Sequence, residues 1–199
     1  MIQLRDMKNK IGEIELKRSA YHEAGHAFAV LGSSCFCLKR ITLRPKNKSA
    51  AGMNWYYPRK RIPGVPQELF DNRQFNDYMI IIRMGEFVED IFLGENESPV
   101  IEINDDSITT YGGVLRLDLI DGEPVFSGDL WELYECVRSK PRDELPGIFE
   151  RLNNACSKRL STPGTKKCIE SIAGTLIDKK TMSAKEAREI YNSTVLCGE

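Results

Sequence analysis

The chain has 199 residues and only two histidines, four positions apart in His22-Glu23-Ala24-Gly25-His26. This H-E-x-x-H run lies inside a helical pattern. From Glu13 to Leu31, apolar Leu16, Ala20, Ala24, Ala27, Phe28 and Leu31 recur at three and four residues, and Gly32 with two serines supplies the stop. Residues i and i+4 of a helix share a face one turn apart, so both imidazoles can reach one metal ion. Glu23 is turned about a quarter-circle away, where it can hold a metal-bound water without being a ligand. Zinc lowers the pKa of such a water to about 7, and the carboxylate accepts its proton as it attacks a carbonyl. Two residues placed at random in a chain of this length fall four apart about 1% of the time, so the spacing points to a metal site. Gly25 points the same way, because a glycine inside a helix costs about 1 kcal/mol relative to alanine and calls for a packing or functional reason.

The same scarcity excludes any three-histidine site. The third ligand must be Asp, Glu or Cys. Glu86, Glu89 and Asp90 on a later helix, and Asp129 at the start of another, are the candidates, and spacing alone leaves them open. Asp129 with Glu132 also spells a helix capping box.

The rest of the chain reads as an α+β fold, mainly α-helical. Arg40 to Arg44 and Gly52 to Tyr57 are strand signals closed by Pro45 and Pro58, and Lys46 to Ser49 between them is a turn, so they form a β-hairpin. Pro63 to Pro66 is a break. Gln74 to Phe92 is a long helix with Tyr78, Ile81, Ile82, Gly85 and Val88 on one side, ended by Gly94. Val100 to Phe126 reads as β structure: Leu115, Leu117 and Leu119 alternate with other residues, Asp121-Gly122 is a tight turn, and Val125-Phe126 pairs back. From Asp129 onward the pattern is a C-terminal helical bundle, with Ser183 and Glu186 as a capping box for its last helix.

Bulk charge adds exclusions. With 28 basic against 29 acidic residues, nothing favours a nucleic-acid or membrane-surface role. The six cysteines contain no Cys-x-x-Cys pair, which argues against a cysteine-rich zinc site and for reduced thiols. The N-terminus lacks an apolar leader, and the longest apolar stretch, Tyr78 to Ile82, is too short to cross a bilayer. The expectation is a soluble, cytoplasmic protein.

Several segments together resemble the peptidase domain of FtsH-type ATP-dependent zinc metalloproteases. Ala20-Tyr21-His22-Glu23-Ala24-Gly25-His26-Ala27 looks like that family's signature. Ile41-Thr42-Leu43-Arg44-Pro45, Ala51-Gly52 and Tyr57-Pro58 resemble its hairpin. Gly85 to Gly94 resembles its Gly-Arg-x-Ala-Glu-Glu-x-x-x-Gly segment, Ser127-Gly128-Asp129-Leu130 the segment carrying its third ligand, and Leu176 to Ile190 its closing helices. The resemblance implies Zn2+ held by His22, His26 and Asp129 in preference to Glu86, with Glu23 as general base and Glu89 orienting a ligand histidine. It implies one such domain over residues 1–199, with a β-rich insertion at about 99–126. The departures are the gap before Asp129, which follows Gly94 by 35 positions, far more than in the family, and Glu86 in place of a basic residue. No G-x-x-x-x-G-K-[ST] phosphate loop occurs, so the expectation is the peptidase half standing alone, without the ATPase and as a monomer or small oligomer.

These readings combine into a zinc metalloendopeptidase, ATP-independent, in which a zinc-activated water is deprotonated by Glu23. Its substrate would be an unfolded or flexible polypeptide laid along Gly52, Met53, Asn54 and Trp55. The alternative for that strand is a plain hairpin whose Trp55 and Tyr57 are core. The alternative for the whole chain is a catalytically weak or inactive peptidase-like binding or regulatory module, and a third is a separate ATPase supplied in trans. No histidine is left over to stabilise a transition state.

Overall fold

The computed structural model of the chain describes residues 2–43, 52–60, 66–94, 101–104, 107–110, 113–116, 119–120, 123–124 and 129–197. Two long helices organise it: α1 (Ile2–Gly32) and α2 (Gln67–Leu93). They cross at Gly25, where a Cβ would run into the Met84 carbonyl and lie 2.9 Å from Val88 Cβ. The glycine inside the motif therefore lets α1 lie directly against the α2 backbone. Ala20, Ala24 and Ala27 extend that contact, and Ile81, Met84, Phe87 and Val88 of α2 fill it. Helix α1 starts well before the expected Glu13, and α2 starts at Gln67 rather than Gln74, directly after Pro66. Proline fixes the backbone without needing its missing amide at a helix entry.

A three-stranded antiparallel sheet flanks the helices. Its centre is β1 (Phe36–Thr42), with β2 (Met53–Pro58) on one side. The hairpin is as expected, but β1 begins four residues earlier than its sequence signal. The expected turn at Lys46 to Ser49 lies outside the described residues. Ser33 turns the chain from α1 into β1. Its hydroxyl accepts from the amides of Cys35 (2.9 Å) and Phe36 (3.2 Å) and donates to buried Asp77 (2.6 Å). Asp77 is in turn paired with Arg159 at 2.7 Å.

Between α2 and the C-terminal helices come β3 (Ile101–Asn104), β4 (Ser107–Thr110) and β5 (Gly113–Arg116), an antiparallel meander. A separate pair follows, β6 (Leu119–Ile120) and β7 (Glu123–Pro124). The alternation of Leu115, Leu117 and Leu119 is thus divided between two sheets, with 117–118 outside the described residues. The partner of β6 is Glu123–Pro124; Asp121-Gly122 and Val125-Phe126 also lie outside the described residues.

The C-terminal part is helical: α3 (Asp129–Val137), α4 (Leu145–Leu160), α5 (Thr165–Lys179) and α6 (Ala184–Tyr191). Helix α5 buries Cys168, Ile169, Ile172, Ala173 and Leu176 in the core shared by α1 and α2. A second cluster joins Met79 and Ile82 of α2 to Leu133 and Val137 of α3 and to Leu145, Phe149 and Leu152 of α4. At about 1.5–3 kcal/mol per fully buried large side chain, this cluster fixes α3, and Asp129 at its first position, against α2. Ser183 caps α6 with both halves of the capping box formed to Glu186. The three residues before α6 form β8 (Thr181–Ser183), a strand without a sequence signal that pairs with the free side of β1. Among the described residues, no helix is long and apolar enough to cross a membrane.

Candidate metal centre

Helix periodicity puts His22 and His26 on the α1 face that meets α2. Their Nε2 atoms lie 3.1 Å apart, and Asp129 Oδ2 sits 2.7 Å from that of His22 and 2.8 Å from that of His26. Among the described residues, these three form the group of side chains that could hold a metal ion. Gly85 of α2 makes the convergence possible. A Cβ there would collide with His26 Nε2 and lie 3.0 Å from His22 Nε2.

The other ring nitrogens are also engaged. His26 Nδ1 donates to the Ile81 carbonyl at 2.6 Å, and His22 Nδ1 lies 3.2 Å from Glu89 Oε2. Glu89 accepts from Arg18 Nε at 2.7 Å as well. Partners at Nδ1 orient each ring and leave Nε2 as the face-inward atom, the arrangement common around metal-bound imidazoles. Glu86 and Asp90 are not brought to the Nε2 atoms. Glu86 pairs with Arg83 at 2.6 Å. Asp90 has a buried oxygen without a hydrogen-bond partner among the described residues, and burial raises its pKa to about 6.

The electrostatics of the trio calls for a cation. Burial pulls the His22 imidazole down, but hydrogen bonds to Asp129 and Glu89 outweigh it and hold its pKa up to about 10. Burial acts on His26 in the same sense, and the Asp129 carboxylate again prevails and raises it. For Asp129 burial works upward, and the two imidazoles hold it well below the usual carboxylate range. Positive charge is thus favoured where one carboxylate oxygen meets two imidazoles. Zinc accepts this N/N/O donor set. Ligand atoms on a tetrahedral zinc with bonds of ~2.0–2.1 Å stand about 3.3 Å apart, so the trio need open by only a few tenths of an ångström. The residues fit the ion.

Glu23 is buried beside the two imidazoles. Burial raises its pKa, against the lowering pull of both histidines and of a hydrogen bond from Asn54. Asn54 Nδ2 donates to the Glu23 main-chain oxygen at 2.8 Å and to its Oε2 at 2.5 Å. Gly52 lets the strand come this close, since its Cβ would lie 2.7 Å from Glu23 Cδ. A cleft of about 200 Å³ opens here, lined among others by Glu23, His26, Gly52, Asn54, Tyr56 and Asp129.

Of the expected substrate strand, Gly52, Met53 and Asn54 line the cleft and Trp55 does not. Trp55 is 37% exposed, with the Arg40 guanidinium 4.6 Å from its ring centre, and Tyr57 is 53% exposed. The alternative that makes both of them core is therefore incorrect, because strand alternation turns them away from the helices. The capping role for the Asp129/Glu132 pair gives way to another use: Asp129 faces the histidines, and Glu132 accepts from the Tyr78 hydroxyl at 2.9 Å. Sequence reasoning missed the Asn54–Glu23 bond, Tyr56 in the cleft wall and the Ile81 carbonyl. Only Asn54 had a signal, a polar residue at an inward-facing position two after a glycine.

No family model matches the chain. Among curated proteins it is similar to the ATP-dependent zinc metalloprotease FtsH of Ruminiclostridium cellulolyticum, at 27% identity over 206 aligned positions. That alignment covers 94% of this chain and 32% of the relative. It is similar to the protein of the same name from Cyanidium caldarium, at 27% over 193 positions, 88% of this chain and 30% of the relative. The chain spans about a third of the length of these relatives, and its similarity to these FtsH zinc metalloproteases is a distant one.

Proposed function

We propose that the chain is a zinc metallopeptidase that hydrolyses peptide bonds in flexible or unfolded polypeptide. The observation that carries this reading is the meeting of His22 Nε2, His26 Nε2 and Asp129 Oδ2 beside buried Glu23 at the wall of a cleft. His22, His26 and Asp129 would hold the ion, and Glu89 would orient His22. Zinc bound there supplies a Lewis acid that polarises a carbonyl and acidifies water. Glu23 takes the proton from the water as its oxygen attacks the scissile carbonyl carbon. It returns that proton to the leaving nitrogen as the C–N bond breaks. Among the described residues strand β2 has β1 on one side only, so its other edge can pair with an extended substrate, and this favours flexible segments. An ATPase acting in trans would widen the range of substrates without changing these roles.

The test is cleavage of an unfolded protein by the zinc-loaded chain. Glu23→Gln is expected to lower kcat by about 10²–10⁴-fold with zinc content retained. Unchanged activity in that variant would refute the roles given. Zinc binding by the wild-type chain without any cleavage would favour the peptidase-like binding module instead.

A further inference from the structure

Glu23 has two ways to be held: by its own helix, and by the strand across from it. The strand supplies Asn54. Both hydrogen bonds that Asn54 Nδ2 makes go to Glu23, one to the main chain and one to the carboxylate. The amide cannot be turned over, because that would set Oδ1 against two acceptors. Oδ1 itself is buried without a hydrogen-bond partner among the described residues. A residue chosen for packing would not leave an acceptor in that state, since buried polar atoms are almost always paired. Gly52, two residues earlier, gives up its side chain so that the strand can approach Glu23. Two positions of β2 and its lead-in are thus shaped around one carboxylate.

We propose that Asn54 is a positioning residue for Glu23, aiming the carboxylate from the strand that borders the cleft. The inference rests on the peptidase reading above. It adds that the base is set by the same strand along which substrate would lie, so an error of about 1 Å there costs up to about a hundredfold in rate.

Two measurements on the full chain test it. The first is steady-state cleavage of an unfolded protein with zinc present. Asn54→Leu keeps the branched shape and the number of side-chain heavy atoms and removes the donors; kcat is expected to fall about a hundredfold, with KM and zinc content unchanged. In Glu23→Asp, whose shorter carboxylate lies beyond the reach of Nδ2, Asn54→Leu should change kcat by less than about twofold. Equal losses in both backgrounds, or a change confined to KM, would overturn the proposal. The second measurement is thermal unfolding of the metal-free protein. Asn54→Leu should lower Tm by a few degrees in the wild type, where it strands a buried carboxylate as well as the residue 23 main-chain oxygen, and by clearly less in Glu23→Ala, where only the main-chain bond is lost. Equal lowering in both overturns the proposal. If the wild-type chain binds zinc and never cleaves, the peptidase reading fails, and the unfolding comparison alone decides whether Asn54 holds Glu23.

Discussion

Replacing Gly85 by alanine adds one methyl group at the point where the two imidazoles meet. Alanine favours the helix by about 1 kcal/mol over glycine, so α2 itself gains. Against this, the new carbon would lie 2.5 Å from His26 Cε1 and 3.0 Å from His22 Nε2. Ordinary contact needs about 3.5 Å, so the rings must retreat by roughly 0.5–1 Å, and overpacking of this kind costs about 1–3 kcal/mol. The metal-free protein should therefore lose only about 0–2 kcal/mol. Zinc tolerates far less, because its bonds to nitrogen vary by only about 0.2 Å, so a hundredfold loss of affinity is a modest expectation. The assay is thermal unfolding with and without zinc. At a zinc concentration 100 times the wild-type Kd, wild type gains about 2.7 kcal/mol, roughly 5–10 °C for a chain of this size. The variant at the same concentration would gain about 0.4 kcal/mol, roughly 1 °C. A folded Gly85→Ala protein that keeps the full zinc-dependent shift would refute the placement of the metal below Gly85.

Two further predictions concern the shell around the ligands. Glu89→Gln removes the carboxylate that holds His22 Nδ1 and pairs with Arg18, and zinc affinity should fall about 10–100-fold in chelator competition; unchanged affinity would count against an orienting role. In the metal-free protein, the His22 pKa of about 10 exceeds its ordinary value of 6.5, so its contribution to stability is complete below pH about 6.5 and is lost as pH rises through about 10. Asp129, held low, contributes above its ordinary range and loses that contribution only in acid. Metal-free Tm should accordingly fall between pH 7 and 10, while the increment from zinc grows as imidazole protons are easier to displace. Asp129→Asn should flatten both trends. A level metal-free Tm across that range in the wild type would contradict the electrostatics described here.

The parts of the fold that the sequence announced are those whose signals are local. The α1 and α2 stripes have helical period, and the Ser183/Glu186 cap needs only four residues. Strand β1 was legible only in its second half. A register shift between Leu38 and Arg40 breaks the alternation that links buried Phe36 and Leu38 to buried Ile41. Strand β8 has three residues, and its pairing partner lies about 140 positions earlier, so no local pattern could reveal it. Within the site, the i, i+4 histidines and the adjacent glutamate came from spacing. Asp129 came from resemblance, because four carboxylates were open to the residues alone. The roles of Gly52 and Gly85 as gaps, and of the Ile81 carbonyl as an acceptor, depend on which backbones meet, and no residue type states that.

Asp129 stands 107 residues from His22, yet its carboxylate is placed by the packing of α3 on α2. The stretch from Gly94 to Asp129 joins two helices whose packing is set elsewhere, so extra length between its strands is closed at small entropic cost. Doubling such a loop costs only about 0.6 kcal/mol in closure entropy. Insertions and deletions between those anchors can change the length and make-up of that stretch while leaving the meeting of His22, His26 and Asp129 where α1, α2 and α3 set it.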